Sequence, residues 1–172
     1  MQRTANSNYT VLVVDDDVAL GNVWREALSG VGFNVFTSSS GLKGLETIRH
    51  VGKVDAVLLD YNMPWLDGSQ TLEHLKNQFP HVKTIGVTGV DTSRIPDTFR
   101  NGVEQLLLKP IKVNDLVGSI HSVLGVAVGS KTANRGTTYW IRFGLWYALY
   151  VGCCYGILRG LYQIASVTML SH

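Results

Sequence analysis

The chain has only two cysteines, and they are neighbours, Cys153 and Cys154. Adjacent cysteines can neither frame a disulfide-stapled fold nor supply a Cys-x-x-Cys metal site. The five histidines are scattered along 172 residues without ligand spacing, and none has the surroundings of a phosphotransfer histidine. Met1–Asn8 is polar and holds no apolar signal core. Without a secretory signal, Asn8-Tyr9-Thr10 reads as a chance match to a glycosylation acceptor. There is no broad excess of one charge in the first part of the chain. Residues 1–130 carry 11 Lys+Arg and 13 Asp+Glu, a net of −2, so they offer no basic face for nucleic acid. Acids are then absent: residues 131–172 carry Lys131, Arg135, Arg142 and Arg159 and no Asp or Glu, a net of +4. This division suggests one domain of ordinary size followed by an extension of another character.

What is present in the first 125 residues is an alternation of short apolar runs with helix-periodic segments, the pattern of a parallel sheet. Strands are predicted over Thr10–Val14, Phe33–Phe36, Val54–Leu59, Lys83–Thr88 and Gln105–Leu108. Between the first two, Leu20, Val23, Trp24, Ala27 and Leu28 share one helical face. Gly30-Val31-Gly32 ends that helix. Ser38–Ser40 supplies caps for a helix over Leu42, Leu45 and Ile48. Further helices are expected over Gly68–Phe79, over Asp91–Asn101 with Pro96 in its first turn, and over Lys112–Leu124. Right-handed crossovers then place helices on both faces of the sheet. Ligands bind such sheets outside the carboxyl ends of the strands.

Five polar residues close the apolar runs at that edge: Asp15, Asp16, Asp60, Thr88 and Lys109, the last followed by Pro110. Three carboxylates brought together repel one another and call for a cation, and oxygen-only ligands favour Mg2+. Asp60, at the end of the central run, is placed to attack phosphorus and form an acyl phosphate. Lys109 can share the charge of the phosphoryl oxygens, and Thr88 can donate a hydroxyl to them. Gly89 leaves room beside Thr88, and Lys109-Pro110 is a candidate cis peptide.

These residues resemble the receiver domain of two-component response regulators. The motifs are Val-Leu-Val-Val-Asp-Asp-Asp, Leu-Leu-Asp-Tyr-Asn-Met-Pro-Trp-Leu-Asp-Gly, Gly-Val-Thr-Gly and Leu-Leu-Leu-Lys-Pro-Ile, in order within Tyr9–Leu124. The resemblance implies a flavodoxin-like (βα)5 fold with strand order 2-1-3-4-5, and a receiver domain over 9–125. It implies that Asp60 is the phospho-acceptor, charged by a histidine kinase or phosphotransfer protein. It also implies that Asp16, Asp60 and the backbone carbonyl of Asn62 ligate Mg2+, with Asp15 helping through water. Thr88 and Lys109 become the switch and phosphate-binding residues, and Gly68 matches the glycine after the acceptor loop. One position departs: three residues before Lys109 the family usually has Tyr or Phe, which swings inward when the threonine moves, and here it is Leu106.

Each mark has a plainer reading alone. Asp15–Asp17 can cap the first helix, Thr88 can be a strand-end hydroxyl, and Lys109 a solvated charge. Asp17 and Asp67 keep the capping reading. His50, His74, His81 and His121 are expected at the surface, and Gly41-Leu-Lys-Gly44 as a helix start rather than a phosphate loop. The chain is expected not to be an enzyme beyond self-phosphorylation and autohydrolysis at Asp60. The competing function is an unphosphorylated receiver-like scaffold, favoured only by Leu106.

Beyond a linker at 126–138, residues 139–170 are apolar and aromatic. Phe143–Leu158 is 16 uncharged residues, which as a helix would span about 24 Å, slightly short of a bilayer core of about 30 Å. Arg142 and Arg159 can snorkel to the two interfaces. Gly144, Ala148, Gly152, Gly156 and Gly160 recur every four residues, a ridge suited to close helix pairing and hence to a homodimer. Three readings stand: a membrane helix that holds a cytoplasmic receiver at the inner face of the membrane, a helix packed on protein, or a terminus without function. Lys131, Arg135 and Arg142 keep the receiver cytoplasmic under the first. No helix-turn-helix, zinc or winged-helix pattern follows the linker, so no DNA-binding output is expected; the output partner would be another protein.

Overall fold

The structure is a computed structural model that describes residues 8–64 and 66–126. The linker from 127 on and the 139–170 segment, with its membrane and dimer readings, lie outside the described residues, as do Met1–Ser7 and Trp65. Among the described residues no helix is long and apolar enough to cross a membrane.

Five parallel strands form one sheet in the order β2-β1-β3-β4-β5, as expected. They are β1 (Thr10–Val14), β2 (Asn34–Ser38), β3 (Ala56–Asp60), β4 (Lys83–Thr88) and β5 (Gln105–Leu108). The helices are α1 (Val18–Gly30), α2 (Gly41–Val51), α3 (Gly68–Gln78), α4 (Asp97–Gly102) and α5 (Val113–Leu124). β1 and β3 are buried at every residue, which is why their sequences are apolar throughout rather than alternating. β5 lies at the sheet edge and is only half-buried, leaving Leu108 exposed.

Successive strand residues point to opposite faces and feed two apolar layers. Leu12, Val14, Val57 and Leu59 pack with Leu45, Ile48, Leu72, Leu75 and Phe99 from α2, α3 and α4. Val11, Val13, Leu58, Ile85 and Val87 pack with Trp24, Leu28, Leu116 and Ile120 from α1 and α5. Full burial of each such aliphatic side chain is worth about 1.5–3 kcal/mol, so the layers fix the register that brings the strand ends level.

Several expectations shift in detail. β2 and β3 each end later than read, at Ser38 and Asp60, because the parallel ladder continues through polar residues. The segment 91–101 is not one helix. A 3₁₀ turn over Thr92–Arg94 precedes Pro96, which stands outside α4 at its N-cap. A proline disfavours the helical region for the residue before it, and Ile95 is accordingly extended at φ −89°, ψ 125°. Leu42 shares a sequence period with Leu45 and Ile48 but is exposed. His121, expected at the surface, is buried in α5 with its ring 5.6 Å from that of Phe33. Burial lowers the pKa of its imidazole.

Candidate functional site

The carboxyl ends of β1, β3, β4 and β5 bring the five polar residues together. Asp15 follows β1, Asp60 closes β3, Thr88 closes β4 and Lys109 follows β5. Asp15, Asp60 and Thr88 are buried, while Asp16 is exposed at the rim. One carboxylate oxygen each from Asp15, Asp16 and Asp60 lies within 4.8 Å of the others. Three hard oxygen donors converging this closely suit a divalent cation of the Mg2+ type. The three carboxylates thus gather at one edge of the sheet.

Lys109 reaches across the site from the far strand. Its Nζ is 2.8 Å from Asp15 Oδ2 and 2.8 Å from Asp60 Oδ1. The peptide bond joining it to Pro110 is cis, as the sequence suggested. Burial pushes the Asp15 carboxyl up, the ion pair and hydrogen bond with Lys109 oppose this, and the pKa stays raised. Burial also works to lower the Lys109 ammonium, but the hydrogen bonds and charges of Asp15 and Asp60 outweigh it, so its pKa is raised.

Backbone donors fix both buried acids. Asp17 N–H donates to Asp15 Oδ1 at 2.9 Å, and Asn62 N–H donates to Asp60 Oδ2 at 3.0 Å. Asp15 N–H in turn donates to the Ser38 carbonyl at 3.0 Å. Thr88 Oγ1 accepts from Val90 N–H at 3.1 Å, which leaves the hydroxyl proton to be donated elsewhere. Asp17 caps α1 by accepting from Leu20 N–H, and Asp67 caps α3 in a capping box with Gln70, as both were read. A Cβ at Gly89 would meet open space, so the room beside Thr88 does not depend on glycine there.

Gly68 does matter. A Cβ at Gly68 would stand 2.7 Å from Tyr61 Cα and 2.8 Å from the Asp60 carbonyl oxygen, both backbone atoms that cannot give way. The sequence reading did not single out Phe99, whose ring meets both Tyr61, next to Asp60, and Gly86 of β4. An isolated glycine within the apolar run of β4 was the available signal, since such a residue marks close approach of another group.

The response regulator receiver domain family matches residues 11–121. The chain belongs to that family. Curated relatives of this receiver include the transcriptional regulatory protein ZraR of Escherichia coli, 29% identical over 120 residues, covering 69% of this chain and 27% of that protein. The cell cycle transcriptional regulator CtrA of Caulobacter vibrioides is 31% identical over 120 residues, covering 66% of this chain and 49% of CtrA. The chain thus spans between about a quarter and a half of the length of these relatives. Both relatives are named as transcriptional regulators. Among solved structures, the CheY-like receiver domain protein of Methanospirillum hungatei superposes with TM-score 0.64 at 27% identity, covering 68% of this chain and 94% of that one. Receiver domains bind Mg2+ at an acidic cluster of this kind, and the cluster in this chain fits that ion.

Proposed function

We propose that this chain is a phospho-accepting response regulator in which Asp60 takes a phosphoryl group from a histidine kinase or phosphotransfer protein. The observation that carries the reading is Lys109, whose amine lies 2.8 Å from both Asp15 and Asp60 across the sheet edge. A lone ion pair needs one acid, whereas this amine is held over the place where phosphoryl charge would form.

A carboxylate oxygen of Asp60 attacks phosphorus, an Asp–O–P bond forms, and the bond from phosphorus to the donor nitrogen breaks. The leaving imidazole keeps the electron pair of that bond. Lys109 then pairs with a phosphoryl oxygen, and the Thr88 hydroxyl turns to donate to another. Asp15, Asp16, Asp60 and the Asn62 backbone carbonyl are the groups that would hold Mg2+. When bound, the ion supplies positive charge against the phosphoryl oxygens. Hydrolysis of the acyl phosphate returns Asp60, and this cycle is the extent of the chain's own chemistry. The intact acids and lysine speak against a scaffold that is never phosphorylated.

Acetyl phosphate with Mg2+ should modify the full chain once, as read by intact mass, and should leave Asp60→Asn unmodified. An inert wild type, or a modified Asp60→Asn protein, removes the reading.

The 139–170 segment extends the proposal on sequence grounds alone: its uncharged run and small-residue ridge suit a membrane anchor that keeps the receiver on the cytoplasmic side. The full chain should then pellet with membranes after carbonate washing, and a chain cut at residue 130 should not. If both remain in the supernatant, the anchor is discarded.

A further inference from the structure

Tyr61 and Phe99 form an aromatic pair beside the acceptor, with ring centroids 5.0 Å apart and planes tilted by 58°. Tyr61 follows Asp60 directly and is half-buried; Phe99 is wholly buried in α4. The Phe99 ring rests on two glycines. A Cβ at Gly86 would lie 2.9 Å from Phe99 Cε1, and one at Gly68 would lie 3.1 Å from Phe99 Cε2. Leu106, opposite Gly86 in the β4–β5 register, comes within 3.0 Å of that same Gly86 Cβ position. The space over β4 that a ring at position 106 would have to enter is therefore already filled from α4.

Two routes lead from the acceptor to this ring. The first is the main chain. Tyr61 N–H donates to the Val87 carbonyl at 2.8 Å, and the Tyr61 carbonyl accepts from Gly68 N–H at 3.0 Å. The place of Tyr61 thus depends on how the ends of β3 and β4 lie. The second route starts at Thr88, which now holds Val90 N–H on its hydroxyl oxygen. A Thr88 side chain that rotates to serve a phosphoryl oxygen gives up that amide. Val90 packs on the same apolar layer as Tyr61, Leu106 and Phe99, so its movement is felt there.

We propose that Phe99, working through its contact with Tyr61, is the aromatic element that transmits the state of Asp60 to α4 in this chain, a role that Leu106 cannot fill. The inference rests on the phospho-acceptor reading. Phe99 touches no reacting atom and is a positioning residue. What it moves is the exposed side of α4, with Asp97, Thr98, Arg100 and Asn101 facing solvent.

The test is hydrogen exchange of the full chain, read by mass spectrometry over residues 89–102, with and without beryllofluoride plus Mg2+ or acetyl phosphate plus Mg2+. Intact mass reports acetyl phosphate modification in parallel. In the wild type, modification should change exchange over this stretch several-fold. Phe99→Leu and Tyr61→Leu should accept phosphate to the wild-type extent yet lose that change, and Tyr61→Phe, which keeps the ring, should retain it. If Phe99→Leu does not fold, Tyr61→Leu decides alone, because Tyr61 is only half-buried. A phosphorylated Leu variant with the wild-type exchange response overturns this inference and leaves the acceptor reading intact. A phosphorylated wild type with no response over 89–102 does the same. A wild type that takes no phosphate overturns both.

Discussion

Gly68 and Asp60 are eight positions apart in sequence and almost touching in space. The helix that carries Gly68 begins against the Asp60 carbonyl, with room for a hydrogen and not for a methyl group. Gly68→Ala must push either the end of β3 at Asp60 or the start of α3. Forcing a methylene into a closed contact of this kind costs about 1–3 kcal/mol. The loss should appear as a lower midpoint in urea, and the displaced Asp60 should accept phosphate from acetyl phosphate more slowly than the wild type. Ala at Gly89, by contrast, should leave the urea midpoint unchanged, because its Cβ would meet nothing. The sequence allowed Gly68 to be matched to a motif but gave no measure of the distance. Glycine at both positions looks the same on the page, and only the fold separates a required one from a replaceable one. The acid cluster was far more legible, because each member closes an apolar run and strand ends in a parallel sheet share one edge.

At the scale of elements, legibility followed local chemistry. β1, β4 and β5 fall where their apolar runs stand, and the caps of α1 and α3 fall on Asp17 and Asp67 as their side chains suggest. The expected helix over Asp91–Asn101 divides because Pro96 holds Ile95 extended and so cannot sit inside its first turn. Leu42 shows that period gives a face while the surrounding elements decide whether it is covered, and His121 that a polar side chain in α5 can be buried against Phe33. Asp67→Ala removes the acceptor of Gln70 N–H and half of the capping box, and should cost about 1 kcal/mol in chemical denaturation. Glu104, in the loop before β5, ties α3 and β4 together. It accepts from Lys76 of α3 at 2.9 Å and from the Thr84 amide of β4 at 2.6 Å. Burial works to raise its pKa, but the Lys76 and Thr84 hydrogen bonds prevail and hold it below the ordinary value of 4.5. A carboxyl depressed in the folded state binds its proton more readily when unfolded, so its stabilising contribution is complete above pH 4.5 and is lost as pH falls through the lower folded value. Glu104→Gln should therefore flatten the stability profile below pH 4.5 relative to wild type, as measured by thermal midpoints across that range. An identical acid slope in the two proteins would mean that Glu104 is not held as described.

Among the described residues one sheet gathers three carboxylates at one edge and answers them with a single lysine in the site. Resting stability and cation affinity are therefore linked through the same oxygens. Lys109 Nζ occupies one side of Asp15 and Asp60, and its positive charge repels any divalent ion brought to the cluster. An ion that binds the folded chain and not the unfolded one raises stability by about 2.7 kcal/mol when its concentration is a hundred times its dissociation constant. Mg2+ should accordingly raise the thermal midpoint of the full chain in a concentration-dependent way. In Lys109→Met the apolar stem remains and the amine is gone, so two buried acids face each other with only the Asp17 and Asn62 amides and no cation. That variant should melt lower than wild type in the absence of divalent ions, since an uncompensated buried charge is costly. It should also bind Mg2+ more tightly and gain more from it, so that the two melting curves draw together as Mg2+ rises. Under the proposed function, phosphate uptake from acetyl phosphate should fall in the same variant, because the charge that would face the phosphoryl oxygens has been removed. Opposite changes in ion affinity and phosphorylation from one substitution separate the two duties of this edge. If Lys109→Met instead weakens Mg2+ binding, the ion is not held among Asp15, Asp16 and Asp60.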